Sequence, residues 1–110
     1  ASCQVLHGHL VEIESASENT FLVNMAHSHG DAVSDIWINL EDIAIENDFR
    51  WASSGQRPEY TNWGPGEPNN INHEDCAALT TIPGARFGKW TDIACEDPNN
   101  YVDGFICETK

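Results

Sequence analysis

The stretch Ile36-Trp37-Ile38-Asn39-Leu40 (IWINL) is a short run of branched and aromatic residues, which predicts a β-strand. His9–Ile13 (HLVEI), earlier in the chain, alternates apolar and polar residues and predicts another strand. Phe49–Trp51 predicts a third, which the turn at residues 53–55 closes. Further strands are predicted at Cys76–Ile82, Lys89–Cys95 and Tyr101–Glu108. The strand around IWINL is therefore expected to belong to a mostly antiparallel sheet.

Two helices are predicted on the amino-terminal side of IWINL. Ala1–His7 would form a short helix that ends near Gly8. Ser15-Ala-Ser-Glu18 has the capping-box pattern, in which the serine caps the helix and the glutamate reaches back. The helix after it should end near Gly30. Its predicted buried face consists of Phe21, Leu22, Met25 and Ala26. With no repeat or linker, residues 1–110 read as a single domain of the α+β class.

Composition narrows the choice of partners. Eighteen acids against five bases give a net charge of −13. This charge argues against nucleic acid and against anionic lipid surfaces, because both require a basic face. No apolar run is long enough to span a membrane. No signal peptide opens the chain, which suggests a mature or trimmed form. A cation or an uncharged ligand is the expected partner.

The four cysteines, Cys3, Cys76, Cys95 and Cys107, include no C-x-x-C pair, which argues against a zinc knuckle. An even count in a small domain favours two disulfides and a secreted, oxidising environment. Spacing leaves three pairings open. We favour the nested one, Cys3 with Cys107 and Cys76 with Cys95, which would tie the chain ends together. Its inner bridge would close a loop of about twenty residues and contribute roughly 3 kcal/mol.

Residues 56–75 form a long segment without periodicity, and it contains WGPGEPNN at positions 63–70. Long ordered loops of this kind are usually functional. Cis peptide bonds are nearly confined to X-Pro, at roughly 5–6% of such bonds. A cis Glu67–Pro68 bond would turn the side chains of Glu67 and Asn69 to the same side. A trans proline in an ordinary loop is the alternative.

Polar side chains crowd this loop. If Cys76 is bonded to Cys95, Asp92 would lie close to Glu74, on the loop side of the bridge. Carboxylate and carboxamide oxygens are the ligands that Ca²⁺ prefers. His73 is the only nitrogen or sulfur ligand beside them, which makes a softer metal a poorer choice. The candidate oxygen ligands are Glu67, Asn69, Glu74, Asp75 and Asp92.

Over nearly its whole length the chain resembles the C-type lectin-like domain family. Order and spacing of the motifs agree with the family, and Asn39 stands where a glycine is usual in the WIGL motif. The segments that carry the resemblance are HLVEI, the helix with Glu18 and Phe21, Trp37–Leu40, Phe49–Trp51, Trp63, Glu67-Pro68-Asn69, Glu74-Asp75-Cys76, Gly88–Asp92, Cys95 and Phe105–Glu108.

This resemblance implies the α+β C-type lectin fold, with two helices, a long ligand-binding loop and the nested disulfides. It implies that Glu67, Asn69, Glu74 and Asp92 would bind Ca²⁺ and also contact two neighbouring hydroxyls of a sugar. Each hydroxyl would meet an acceptor carboxylate and a donor carboxamide. In this family the EPN motif is associated with mannose, glucose and N-acetylglucosamine.

The chain departs from the family at Thr91, where asparagine is usual. Threonine is shorter and has no carboxamide, so the site loses one strong oxygen ligand, and calcium affinity depends on ligand number. We therefore expect weak calcium binding, or calcium-independent binding of a sugar such as an N-acetylated hexose. Trp63 and His73 are further candidates for contact with the sugar, although core packing and simple exposure, respectively, are the alternatives.

A second departure is expected at the amino terminus, where family members usually have a strand before the first helix, whereas residues 1–110 begin at the predicted helix. The final strand, Gly104–Glu108, is then expected to miss its usual neighbour, and an uncovered edge invites pairing with another chain. We therefore expect a homo- or hetero-oligomer, in which linked sugar sites would gain avidity.

An enzyme and a domain that binds a surface other than sugar are the alternatives to a lectin. An enzyme using Glu67 and Glu74 as paired carboxylates would need an apolar setting to keep one protonated, and the loop is polar, so catalytic residues are not expected. The stronger competitor is a lectin-like domain that binds a protein, mineral or ice surface, because fold does not fix function.

Overall fold

The computed structural model describes residues 8–28, 35–45, 47–69, 74–81, 84, 86–95, 102 and 104–108. Over these ranges the chain forms one helix, α1, at Ala16–His27. The strands are β1 (His9–Leu10), β2 (Asp35–Glu41), β3 (Arg50–Trp51), β4 (Cys76–Thr80), β5 (Trp90–Ile93), β6 (Gly104–Phe105) and β7 (Cys107–Glu108). The helix predicted at Ala1–His7 lies outside the described residues.

Helix α1 begins with the predicted cap. Ser15 Oγ accepts a hydrogen bond from the Glu18 backbone N–H at 3.1 Å. Glu18 Oε1 reaches back and accepts from the Glu14 N–H at 3.1 Å, one residue before the serine. Both arms satisfy N–H groups that have no partner within a helix, so the capping-box prediction is confirmed.

The buried face of α1 differs from the predicted one. Phe21 was expected in the core, but it is 64% exposed. Asn19 and Val23 are buried together with Leu22 and Ala26. Asn19 turns inward because its Nδ2 donates to Gly88 O at 3.0 Å and its Oδ1 accepts from Trp90 Nε1 at 2.7 Å. These two buried hydrogen bonds set the rotation of the helix and leave Phe21 on the solvent side.

Strand β2, which contains IWINL, is the centre of the main sheet. The sheet has five strands in the order β3-β2-β4-β5, and β6 also pairs with β2. All pairs are antiparallel except β2 with β6. A separate antiparallel pair joins β1 to β7. The predicted α+β class with a mostly antiparallel sheet is confirmed, and β1 is shorter than HLVEI suggested.

The hydrophobic core lies between α1 and the main sheet. Alternate residues of β2 point into it, as expected for a strand with one buried face. The large apolar side chains that are fully buried in this core are Trp90, Ile13, Ile36, Leu40, Leu79 and Val11.

A disulfide fixes the relation between β4 and β5. Cys76 and Cys95 are bonded with an S–S distance of 2.04 Å, which confirms the inner pair of the nested prediction. Cys107 is also disulfide-bonded. The predicted partner, Cys3, lies outside the described residues.

The last strand has a neighbour within the chain. His9 pairs with Glu108 and Leu10 with Cys107, and Val11 N donates to Ile106 O at 3.0 Å. These contacts leave the predicted oligomer untested, so it stays a prediction. In the part of the chain that the structure describes, no helix is long and apolar enough to cross a membrane.

Candidate functional site

The long loop is anchored to β5 at Trp63. Residues 56–69, which run to the end of the EPN tripeptide, form no helix or strand. Their one bridge to the sheet is the isolated pair Trp63 and Trp90. Gly64 N donates to Trp90 O at 2.9 Å, and Trp90 N donates to Asn62 O at 2.8 Å. These bonds hold the EPN tripeptide beside the strand that carries Thr91 and Asp92.

Trp63 itself packs into the molecule. Its ring centroid lies 5.1 Å from that of Phe49 and 5.7 Å from that of Trp90, both in edge-to-face geometry. Such aromatic pairs stabilise a core beyond their buried area. The structure therefore accounts for Trp63 as an anchor of the loop, whereas its contact with a sugar remains a prediction.

The EPN tripeptide brings its two polar side chains together. The Glu67–Pro68 peptide bond is cis, as predicted. Asn69 Nδ2 donates to Glu67 Oε2 at 3.3 Å, and the Asn69 backbone N–H donates to Asp92 Oδ1 at 3.1 Å. Asp92 is buried in β5, opposite Ala77 of β4. Three of the predicted site residues, Glu67, Asn69 and Asp92, therefore form one cluster.

The Glu67 carboxyl group is poorly satisfied for a buried acid. Its side chain is 7% exposed, and Oε1 is buried without a hydrogen-bond partner. Burial raises the pKa of Glu67 from 4.5 to about 7, and the neighbouring Asp92 carboxylate acts in the same direction. Thr91 and Arg86 lower that pKa, but their effect is smaller. The neighbours of Glu67 are polar, but the sequence did not indicate that the loop folds this side chain inward against β5.

Sequence reasoning missed Arg86. Its Nη1 donates to Glu67 Oε2 at 3.5 Å, and its Nη2 donates to Pro65 O at 3.5 Å. The arginine lies 19 positions from Glu67 in sequence, so only the folded chain shows the contact. The sequence shows only that Arg86 is one of five lysines and arginines in the chain, which does not indicate its position.

The cluster suits a hard cation in its chemistry. Glu67, Asn69 and Asp92 offer only oxygen ligands, and the unpaired Oε1 of Glu67 lacks a positive neighbour of its own. Two desolvated carboxylates side by side repel each other, and a divalent ion would remove that repulsion. Three side chains supply fewer than the six to eight oxygens of Ca²⁺, so water or ligand hydroxyls would complete the shell.

Glu74 and His73 are the two remaining residues that the sequence predicts to contact the ligand. Among the described residues, no group of three or more His, Cys, Asp and Glu side chains converges as a metal site, so Glu74 is not gathered with Glu67 and Asp92. Glu74 lies two positions before β4, whereas Asp92 lies within β5. His73 lies outside the described residues. The part of Glu74 and His73 in ligand binding therefore stays a prediction.

Comparison with known proteins agrees with this fold. The family model of the lectin C-type domain matches residues 1–109. The chain is 33% identical over 105 residues to a perlucin-like protein of Mytilus galloprovincialis, covering 96% of this chain and 64% of that protein. The match therefore spans less than two thirds of the length of that relative.

Solved structures give the same result. The human scavenger receptor C-type lectin carbohydrate-recognition domain superposes with a TM-score of 0.76 at 34% identity, covering 96% of this chain and 74% of that one. The cow carbohydrate-recognition domain of CD23, solved in the presence of a GlcNAc2Man3 oligosaccharide, gives 0.68 at 37% identity, with coverages of 84% and 64%.

A disulfide-bonded α+β domain with a long loop over one end of its sheet and a carboxylate–carboxamide cluster in that loop has the architecture of a lectin domain. The chain belongs to the C-type lectin domain family. Members of this family are generally binding proteins without catalytic activity.

Proposed function

We propose that this chain is a carbohydrate-binding lectin domain that grips two neighbouring hydroxyls of a mannose- or N-acetylglucosamine-type hexose at the EPN tripeptide. Glu67, Asn69 and Asp92 would hold a Ca²⁺ ion, and Glu74 would add a ligand. Calcium would neutralise the paired carboxylates and polarise the sugar hydroxyls. We further propose that the protein is secreted, which its disulfide at Cys76–Cys95 supports.

The unpaired Oε1 atom of Glu67 is the observation that carries this proposal. A buried carboxylate oxygen without a donor costs free energy, so native structures rarely keep one without a role. A neighbouring carboxylate increases that cost. Because the oxygen is fully buried, an ion fits the need better than a larger group. The adjacent Asn69 carboxamide, which donates to Glu67 Oε2, supplies the hydrogen-bond donor that a sugar hydroxyl requires.

Thr91 sets the expected strength. Its hydroxyl donates to the Asp92 backbone O at 3.3 Å and lowers the pKa of Glu67, but it provides no carboxamide. The calcium affinity should therefore be weak, and Thr91→Asn should increase it by roughly tenfold by restoring one oxygen ligand.

Isothermal titration calorimetry with calcium, followed by mannose, N-acetylglucosamine and galactose, tests the proposal. We expect weak calcium binding and a sugar response that EDTA abolishes. Glu67→Gln should abolish calcium binding, whereas Glu59→Gln, which makes the same charge change at an exposed loop position, should leave it intact. Undiminished calcium binding by Glu67→Gln would refute the site.

A second candidate, sugar binding without metal, is favoured by the contact of Arg86 with Glu67. Here a guanidinium group would supply part of the positive charge that calcium supplies in the first proposal. Sugar retention that survives EDTA would select this version. Absence of retention on all three sugars would instead favour a domain that binds a protein, mineral or ice surface.

A further inference from the structure

Arg86 is the cationic side chain that the structure places at the sugar site without a firm partner. Its two contacts, to Glu67 Oε2 and Pro65 O, are both 3.5 Å long, at the limit of a hydrogen bond. By contrast, Arg50 and Arg57 each lie 3.0 Å from Asp48, and Lys89 Nζ lies 3.1 Å from Asn62 Oδ1. Arg86 therefore has the longest contacts among the lysines and arginines that the structure describes.

The guanidinium is also the accessible part of this corner. The Arg86 side chain is 52% exposed, whereas that of Glu67 is 7% exposed. A ligand approaching the EPN tripeptide therefore meets the arginine before it meets the carboxylate. The loop backbone lies directly beneath, since a Cβ atom added at Gly64 would stand 3.3 Å from Arg86 Nη1. A glycine there lets the guanidinium lie against the loop.

Distance places the arginine within reach of a bound sugar. A ligand oxygen that hydrogen-bonds Glu67 Oε2 would lie within roughly 6 Å of Arg86 Nη1, the sum of that 3.5 Å contact and one hydrogen bond. In a hexose held by its 3- and 4-hydroxyls, the group on carbon 6 is the next substituent beyond the 4-hydroxyl. Guanidinium binds sulfate and carboxylate through two parallel hydrogen bonds.

We propose that Arg86 makes this site selective for hexoses that carry an anionic group, a sulfate or a carboxylate, next to the hydroxyls that the EPN tripeptide binds. The arginine contributes specificity, while the tripeptide contributes the grip on the hydroxyls. This inference rests on the proposed sugar site. It also runs against the overall charge of −13, which would repel such a ligand without a local cation.

Affinities for matched sugar pairs test the inference. N-acetylglucosamine is compared with its 6-sulfate, and glucose with glucuronic acid, in calcium buffer and again with EDTA. We expect the wild type to bind each anionic sugar roughly tenfold more tightly than its neutral counterpart, because charge-assisted hydrogen bonds exceed neutral ones. Raising the salt concentration should reduce this ratio. A preference for the sulfate alone or for the carboxylate alone supports the inference and identifies the anion.

Variants then assign the preference to Arg86. Arg86→Gln should lower the ratio to about one, and Arg86→Lys should keep part of the preference because lysine retains the charge without the planar pair of donors. Arg57→Gln, which removes the same charge at an exposed ion pair with Asp48, should behave as wild type. Circular dichroism and thermal melting would establish that each variant is folded.

The outcomes separate the two proposals. Neutral-sugar binding by the wild type without any preference for the anionic sugars overturns the inference and leaves the sugar site standing. An unchanged preference in Arg86→Gln overturns it as well. Failure of the wild type to bind any of the four sugars overturns the proposed function and the inference together.

Discussion

Two glutamates, Glu12 and Glu67, are both folded inward, but their surroundings are opposite. Glu12 Oε2 accepts from Asn39 Nδ2 at 2.7 Å, from Ser53 Oγ at 2.7 Å and from the Ser53 N–H at 3.2 Å. Glu67 faces the carboxylate of Asp92 and keeps one oxygen without a partner. Three donors converge on one oxygen of the Glu12 carboxylate, whereas the Glu67 carboxylate has long contacts from Asn69 and Arg86 on Oε2 and faces another acid.

The difference separates a structural acid from a binding acid. At Glu12 the protein supplies three donors to Oε2, so the carboxylate links β2 to Ser53. At Glu67 the protein leaves one carboxylate oxygen without a donor and places a second carboxylate beside it. The negative charge is therefore not fully neutralised, which favours binding of a cation from solution. Burial alone does not distinguish the two roles, but the count and sign of the neighbours do.

The largest expected effect is at Glu12. Glu12→Ala leaves the donors of Asn39 and Ser53 without their acceptor at a partly buried position. We expect the free energy of unfolding to fall by about 3 kcal/mol in urea denaturation. For Glu59→Ala, at an exposed position, the free energy of unfolding should fall by less than about 0.5 kcal/mol. A loss below about 1 kcal/mol for Glu12→Ala would show that the donors find other partners.

A second test concerns the buried amide of α1. Asn19→Leu keeps similar volume but removes the acceptor of Trp90 Nε1 and the donor to Gly88 O. We expect a loss of about 2 kcal/mol in the free energy of unfolding. The matched control is Asn24→Leu, on the exposed side of the same helix, for which the change should stay within about 0.5 kcal/mol. Equal effects at the two positions would contradict the role given to Asn19.

The opposite sign is expected at Glu67. Because its pKa is raised from 4.5 to about 7, the folded state binds this proton more tightly than the unfolded state. Its contribution to stability is thus complete below pH 4.5 and is lost as the pH rises through about 7. Glu67→Gln cannot ionise, so its stability relative to wild type should increase by on the order of 1–2 kcal/mol across that window.

Calorimetric or urea measurements of wild type and Glu67→Gln at several pH values, without calcium, check this expectation. Saturating calcium should flatten the difference, because the ion favours the charged carboxylate in the folded state. A relative stability that does not change with pH would mean that the pKa of Glu67 is not raised in the folded protein.

The smallest effect on stability is expected at Asp48, which forms ion pairs with Arg50 and Arg57 at the surface. Arg57, and then Arg50, hold the pKa of Asp48 below its ordinary value of 3.8. The stabilisation is therefore present above pH 3.8 and is lost as the pH falls below it. Asp48→Asn should lower the melting temperature at pH 7 only slightly, because exposed ion pairs contribute little, and should leave sugar binding unchanged. A decrease in melting temperature larger than that caused by Asn19→Leu would contradict this ranking.

Local patterns predicted much of the fold. The Ser15–Glu18 capping box, the alternation in β2 and the cysteine count each depend on residues that are near one another or identical in kind. The predicted face of α1 failed at Phe21, because an apolar residue was given precedence over Asn19. Hydrophobic periodicity has no means of showing that an asparagine will find two buried partners 69 and 71 positions away.

The candidate site divides in the same way. The EPN tripeptide and Asp92 are visible in the sequence as oxygen ligands with the family's order and spacing. The burial of Glu67 and the approach of Arg86 are not visible, because both depend on how the loop lies against β5. Trp63 looked equally suited to a sugar platform and to the core, and its position between Phe49 and Trp90 appeared only in three dimensions.

The sequence by itself determined the family, the mostly antiparallel sheet around IWINL and the oxygen chemistry of the loop, because these follow from short-range pattern and residue type. Only the tertiary structure decided that Glu12 meets three hydrogen-bond donors and that Glu67 keeps one oxygen without a donor. Whether a buried carboxylate meets a hydroxyl, a guanidinium or another carboxylate is set by contacts between distant segments, and electrostatic free energies depend steeply on those distances.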